Sequence, residues 1–93
     1  MAQNDMTADN IEKLALYHMP YCPYCGIVSD ELQRLNVKAE NRDTSANAKH
    51  RGDLIAKRNR ATVPVLRIYF KDGSEEWMPE SRDIVKFLRA SYG

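Results

Sequence analysis

The chain has two cysteines in 93 residues, and only Pro23 and Tyr24 separate Cys22 from Cys25. A thiolate attacks disulfides and a thiol does not, so the chemistry depends on what would ionise one of them. A free cysteine ionises near about pH 8.5, and a helix N-terminus or a C-x-x-C arrangement lowers that value. Cys22 follows an apolar run and precedes a helical pattern. It is therefore expected just before a helix, where unpaired N–H groups and the helix dipole favour negative charge. Cys25 falls one turn inside, facing back and buried. Cys22 is then the attacking nucleophile and Cys25 the resolving thiol. Pro23 suits the first helical turn, where its missing N–H costs nothing. The competing readings are a pair of small buried side chains or half of a zinc site. Zinc needs further ligands, and only His18 and His50 are available. His18 has H-x3-C-x2-C spacing, but a strand-end histidine bonded locally accounts for it more simply, so no metal is expected.

The elements that must position this pair are readable around it. Leu14 to His18 is an apolar run suited to a buried strand, and Met19-Pro20-Tyr21 forms a loop. A helix is predicted from Tyr24, with Val28, Leu32 and Leu35 on one face and Asp30, Glu31, Gln33 and Arg34 on the polar side. Asn36 ends it. Val37 to Arg42 reads as a polar edge strand. Asp43, Thr44 or Ser45 is placed to cap a second helix over 46–58, whose apolar face is thin: Ala48, Leu54, Ile55. Val65 to Phe70 is the strongest strand, rich in β-branched and aromatic residues. Asp72-Gly73 turns the chain back through Glu75 to Met78 as an antiparallel hairpin. Pro79 breaks that strand. Ser81 or a neighbour opens the last helix, with Ile84, Phe87, Leu88 and Tyr92 at helical spacing. Trp77 and the Tyr69-Phe70 pair read as packing residues. The order is β-α-β-α-β-β-α on a four-stranded mixed sheet, an α/β fold with its first two strands parallel.

Bulk composition narrows the function classes. Ninety-three residues make one small domain, and 43% hydrophobic with 29% charged residues is ordinary for a globular protein. A formal net charge of +1 gives no argument for nucleic acid or an anionic membrane. No apolar stretch approaches the roughly 20 residues that span a bilayer. Residues 1–10 are polar, show no secretory leader and read as a flexible extension ahead of a domain over 11–93. In a reducing, cytoplasmic setting, which is the one expected here, a lone C-x-x-C is catalytic or metal-binding rather than a disulfide scaffold.

The segments C-P-Y-C (22–25), T-V-P (62–64) and M-P-E-S-R-D-I-V (78–85) together resemble those of dithiol glutaredoxins, which have the thioredoxin-like fold. Tyr21, not Trp, precedes the first cysteine, which separates this site from the W-C-G-P-C of thioredoxins. The third segment departs from the Gly-Gly-x-Asp-Asp of many single-domain glutaredoxins. It is similar to that of the bacterial glutaredoxin 2 type, whose N-terminal domain is like that of glutathione S-transferases and is normally followed by a helical second domain. The resemblance implies several things. The Val63–Pro64 bond is cis and faces the cysteines, with the Val63 backbone offered to a peptide-like ligand. Glu80 and Ser81 hold the γ-glutamyl end of glutathione, Tyr24 flanks its groove, and Arg51 stands where relatives place a group for the glycine carboxylate. Many relatives have a lysine where this chain has Met19, so one carboxylate contact is absent. The implied activity is glutathione-dependent reduction of protein disulfides and glutathione mixed disulfides by a monomer without a tightly bound cofactor. Three rivals are a glutathione-ligated iron-sulfur carrier, a glutathione transferase-like domain and an electron-transfer module fed by thioredoxin reductase.

Overall fold

The computed structural model describes residues 8–93; most of the expected N-terminal extension, residues 1–7, lies outside them. Ala8–Asn10 form a single 3-10 turn. Seven elements follow: β1 (Ile11–His18), α1 (Pro23–Arg34), β2 (Glu40–Asp43), α2 (Ala48–Arg58), β3 (Val65–Phe70), β4 (Glu75–Met78) and α3 (Ser81–Tyr92). The sheet order is β2-β1-β3-β4, with β1 and β2 parallel and the other pairs antiparallel. This is the thioredoxin-like arrangement read from the sequence. β1 starts three residues earlier than the apolar run suggested, because Ile11 and Lys13 also pair with the end of β3 across a register shift.

One face of the sheet is covered by α1 and α3. Leu14 and Leu16 of β1 and Leu66 and Ile68 of β3 pack there against Val28, Leu32, Ile84, Phe87 and Leu88. The other face carries α2, where Tyr17, Leu54 and Val65 form a smaller cluster with Val63 and Trp77 at its edge. Strand alternation explains the division, since residues two apart share a face. Arg42 and Arg67 line this second face and both donate to the buried Tyr17 hydroxyl, at 2.8 and 3.1 Å. Trp77 stacks on the Tyr17 ring at 5.3 Å, so it packs as expected.

Four local expectations need correction. The second strand begins at Glu40, not Val37. Asn36 takes a left-handed conformation (φ 58°), and the Val37 and Asn36 N–H groups donate back to the Leu32 and Gln33 carbonyls. This paired C-terminal stop uses Val37 to close α1 against the core rather than to extend a strand. The cap of α2 is Asn47, whose Oδ1 accepts from the N–H groups of Lys49 and His50, so that helix starts at Ala48. Asp43 instead accepts from Ser45 and Ala46 in the preceding turn. Of the three apolar residues expected to seat α2, only Leu54 is buried; Ala48 and Ile55 are exposed. Finally, Glu31, read as part of the polar side of α1, is 6% exposed. Its carboxylate accepts from Arg34 on its own helix and from Arg89 on α3, tying the two helices together.

Candidate active site

Cys22 is the N-cap of α1. Its backbone is extended, its Sγ accepts from the Cys25 N–H at 3.2 Å, and Pro23 occupies the first helical position. The local chain explains this geometry: a proline at that position starts a helix without leaving its own N–H unpaired. A helix N–H aimed at the Cys22 sulfur, on the positive end of the dipole, favours negative charge there. Cys25 lies one turn inside and is 3% exposed, and both cysteines are free thiols. Burial pushes the Cys25 thiol up to about 12, and its hydrogen bond to Cys22 acts in the same direction, while the Met19 N–H opposes them. The two sulfurs are thus unequal: one accessible and capped, the other buried and held protonated.

A cleft of about 530 Å³ opens at Tyr24, the residue before Cys25, and neither cysteine is among the residues that line it. Tyr24 of α1 forms one wall. Arg58 at the end of α2, Arg60, and Thr62 to Pro64 in the loop before β3 form another, and Pro79 to Asp83 at the β4–α3 junction complete it. The Val63–Pro64 peptide bond is cis. At the third wall Glu80 caps α3 from a positive φ of 61°, without a side-chain hydrogen bond to the helix. Such a conformation is uncommon outside glycine and asparagine and directs the chain sharply into the helix. Ser81 is the first residue of α3 and is half-buried.

The structure therefore brings Tyr24, Val63, Pro64, Glu80 and Ser81 to one cleft. It does not bring Arg51 there. That residue is exposed on α2, seven residues before Arg58 and so about 10 Å away along the helix axis. The cations on the cleft are Arg58, Arg60 and Arg82, set among the carboxylates of Glu80 and Asp83. Arg58 Nη1 is buried and has no hydrogen-bond partner among the described residues. A buried guanidinium N–H left unpaired is costly, and an anion in the cleft would satisfy it. The sequence reading singled out Arg51 and passed over Arg58 and Arg60. Their only signal was their position at the end of α2, close before Thr62-Val63-Pro64. Among the described residues no group of three His, Cys, Asp or Glu side chains could hold a metal ion. No helix among them is long and apolar enough to cross a membrane.

Among solved structures, the thioredoxin-like protein BC3987 is 28% identical over 82% of this chain and all of its own length, with a TM-score of 0.63. Its T8A mutant superposes with a TM-score of 0.64 at 26% identity, covering 85% of this chain and 97% of the other. A glutaredoxin from Brucella melitensis, solved in solution, shares the fold at 20% identity and a TM-score of 0.57, over 87% of this chain and 82% of its own. No curated protein sequence matches significantly. The family profile described as "Glutathione S-transferase, N-terminal domain" matches residues 16–93, which includes the cysteine pair, the cleft and every element after the start of β1. The chain belongs to that family, on a thioredoxin-like fold.

Proposed function

We propose that this chain is a glutathione-dependent dithiol oxidoreductase of the glutaredoxin kind, reducing protein disulfides and glutathione mixed disulfides. The observation that carries the reading is the unequal thiol pair, with Cys22 capping α1 and Cys25 buried one turn behind it. Cys22 attacks the glutathione sulfur of a mixed disulfide, forming a new disulfide as the protein thiolate leaves. A second glutathione then attacks the bound glutathione sulfur, forming oxidised glutathione and freeing the Cys22 thiolate, or Cys25 attacks Cys22 Sγ, releasing glutathione and leaving a Cys22–Cys25 disulfide that further glutathione reduces. The cleft suits a tripeptide with a carboxylate at each end. Ser81 can offer its hydroxyl and N–H to the γ-glutamyl carboxylate at the start of α3, and Glu80 can face the ammonium. Arg58 and Arg60 supply the charge for the glycine carboxylate that Arg51 was expected to supply. Glutathione is the reducing co-substrate, and the scheme needs no tightly bound cofactor or metal. Its protein partners are disulfide-containing or glutathionylated proteins, and its setting is a reducing compartment, which a cytoplasmic monomer would meet.

The family match favours one other reading, a glutathione transferase-like domain that ionises bound glutathione for attack on an electrophile. The deciding experiment offers the reduced protein three tasks: a glutathione mixed disulfide with glutathione as donor, the same substrate with thioredoxin reductase as donor, and an aromatic electrophile with glutathione. Turnover in the first arm is the expected result. Turnover only in the second would replace glutathione as the donor, and conjugation without disulfide reduction would establish the transferase reading.

A further inference from the structure

Large apolar side chains are seldom exposed among the described residues, and those that are exposed are not scattered. They are Met19, Tyr21, Tyr24, Ile27 and Ile55, and all but Ile55 fall between residues 19 and 27, around Cys22. Tyr21 is 98% exposed, Tyr24 62%, Ile27 49% and Met19 42%. No charged side chain occurs between His18 and Asp30, although 29% of the residues in the chain are charged. A single exposed apolar residue is ordinary, but a cluster of them without charge marks an interaction surface.

The fold gathers this cluster at the accessible sulfur. Tyr21 is joined directly to Cys22, and the Cys22 N–H donates to the Met19 carbonyl at 3.3 Å, which turns Met19 back beside it. Tyr24 and Ile27 are three apart on α1, so their side chains are neighbours on one face of the helix that Cys22 caps. Tyr24 also lines the cleft, whereas Met19, Tyr21 and Ile27 do not. The apolar surface therefore starts where the cleft ends, with Tyr24 common to both. None of the four belongs to either core cluster or packs against one, so the fold makes little use of their area.

We infer that this surface docks the protein half of the disulfide, and that the preferred partners carry apolar residues beside the cysteine that is reduced; the inference rests on the oxidoreductase reading above. Continuity with the reacting sulfur decides the occupant. A partner's disulfide has to reach Cys22 Sγ, so the chain on either side of it is laid across the residues that ring Cys22. Apolar flanks there exchange water for contact with two tyrosine rings, Met19 and Ile27, which is favourable. A charged flank would lose water on the same surface and meet no opposite charge. With glutathione in the cleft and the protein on the surface next to it, the two halves of a glutathione mixed disulfide are recognised by largely different residues.

The test measures kcat/KM of the full chain, with glutathione as donor, on three glutathione mixed disulfides. One is that of 2-mercaptoethanol, one that of a short peptide with leucine and phenylalanine beside its cysteine, and one that of the same peptide with serine and glycine there. Wild type should turn over the leucine-phenylalanine peptide roughly tenfold more efficiently than the serine-glycine peptide. Tyr21→Ser and Ile27→Gln should each lower the value for the leucine-phenylalanine peptide roughly tenfold, as truncating an interface anchor does, and leave the mercaptoethanol substrate unchanged. Both side chains are exposed, so the fold should survive, and a thermal melt checks it. Equal turnover of the two peptides by wild type would overturn the docking site. So would variants that slow all three substrates alike, because Tyr21 and Ile27 would then act on the Cys22 sulfur itself. Sedimentation at the assay concentration adds a third check: a wild-type dimer that Ile27→Gln dissociates would assign the surface to a second copy of the chain and overturn the proposal. If wild type fails on the mercaptoethanol substrate, the glutathione reading falls and takes the docking site with it; if that substrate is turned over but the peptides are not distinguished, the docking site alone falls.

Discussion

Arg58→Ala is the perturbation that best tests the cleft as a glutathione site. Arg58 Nη1 is buried without a hydrogen-bond partner among the described residues, so that N–H contributes nothing to folding through a hydrogen bond there. When a carboxylate enters, the same N–H makes a charge-assisted bond, of the kind worth about 1.5–3 kcal/mol. Losing it should raise the KM for glutathione about tenfold to about 150-fold, since each 1.4 kcal/mol is a factor of ten. The lower end applies because Arg58 is only half-buried and solvent screens part of the interaction. The melting temperature should hold or rise slightly, because an unpaired buried donor has been removed. The assay is steady-state reduction of a glutathione mixed disulfide over a range of glutathione concentrations, paired with a thermal melt. Arg51→Ala, on the same helix but away from the cleft, is the control and should leave KM as it was. An unchanged KM in Arg58→Ala, or an equal rise in Arg51→Ala, would refute the assignment of the cleft. A lower melting temperature with unaltered KM would show that Arg58 serves the fold instead.

Cys22→Ser should abolish reductase activity, whereas Cys25→Ser should keep deglutathionylation of small mixed disulfides and lose reactions that pass through an intramolecular disulfide; coupled turnover assays separate the two, and full activity in Cys22→Ser would end the account. Ser81→Ala should raise the KM for glutathione without changing the rate at which a small alkylating agent modifies Cys22, and a drop in melting temperature with constant KM would make Ser81 a helix residue only. Glu31 is held at about 2, against about 4.5 for the ordinary side chain, mainly by Arg34 and then Arg89. Its contribution to stability is therefore complete above the ordinary carboxylate range and lost as pH falls toward 2. Urea melts should find Glu31→Gln less stable than wild type at pH 6 and the gap closing near pH 2; a gap independent of pH would contradict this origin. Leu54→Ala should cost about 2–5 kcal/mol, because Leu54 is the buried anchor of α2 against Tyr17 and Val65, and a loss below about 1 kcal/mol would mean that α2 is seated by something else.

The sequence by itself determined the local geometry at Cys22 and Cys25, because it is local: four consecutive residues build the cap, the first turn and the buried second sulfur. It also determined the hairpin from Val65 to Met78 and the apolar face of α3, where residue type and period agree. Tertiary structure decided what depends on distance between elements. Arg51 and Arg58 are both basic residues of one helix, and nothing in their order tells which end of α2 reaches the cleft; the direction of that helix across the sheet does. Glu31 reads as a surface residue of α1 until α3 brings Arg89, 58 residues later, against its carboxylate. Val37 has strand propensity, yet the left-handed Asn36 spends it on closing α1. His18 looks like a strand end until the fold covers its Nε2 and leaves that nitrogen without a hydrogen-bond partner among the described residues. A periodic pattern fixes which face a residue occupies, whereas an unpaired donor or acceptor is a property of everything packed around it, and only the assembled chain contains that information.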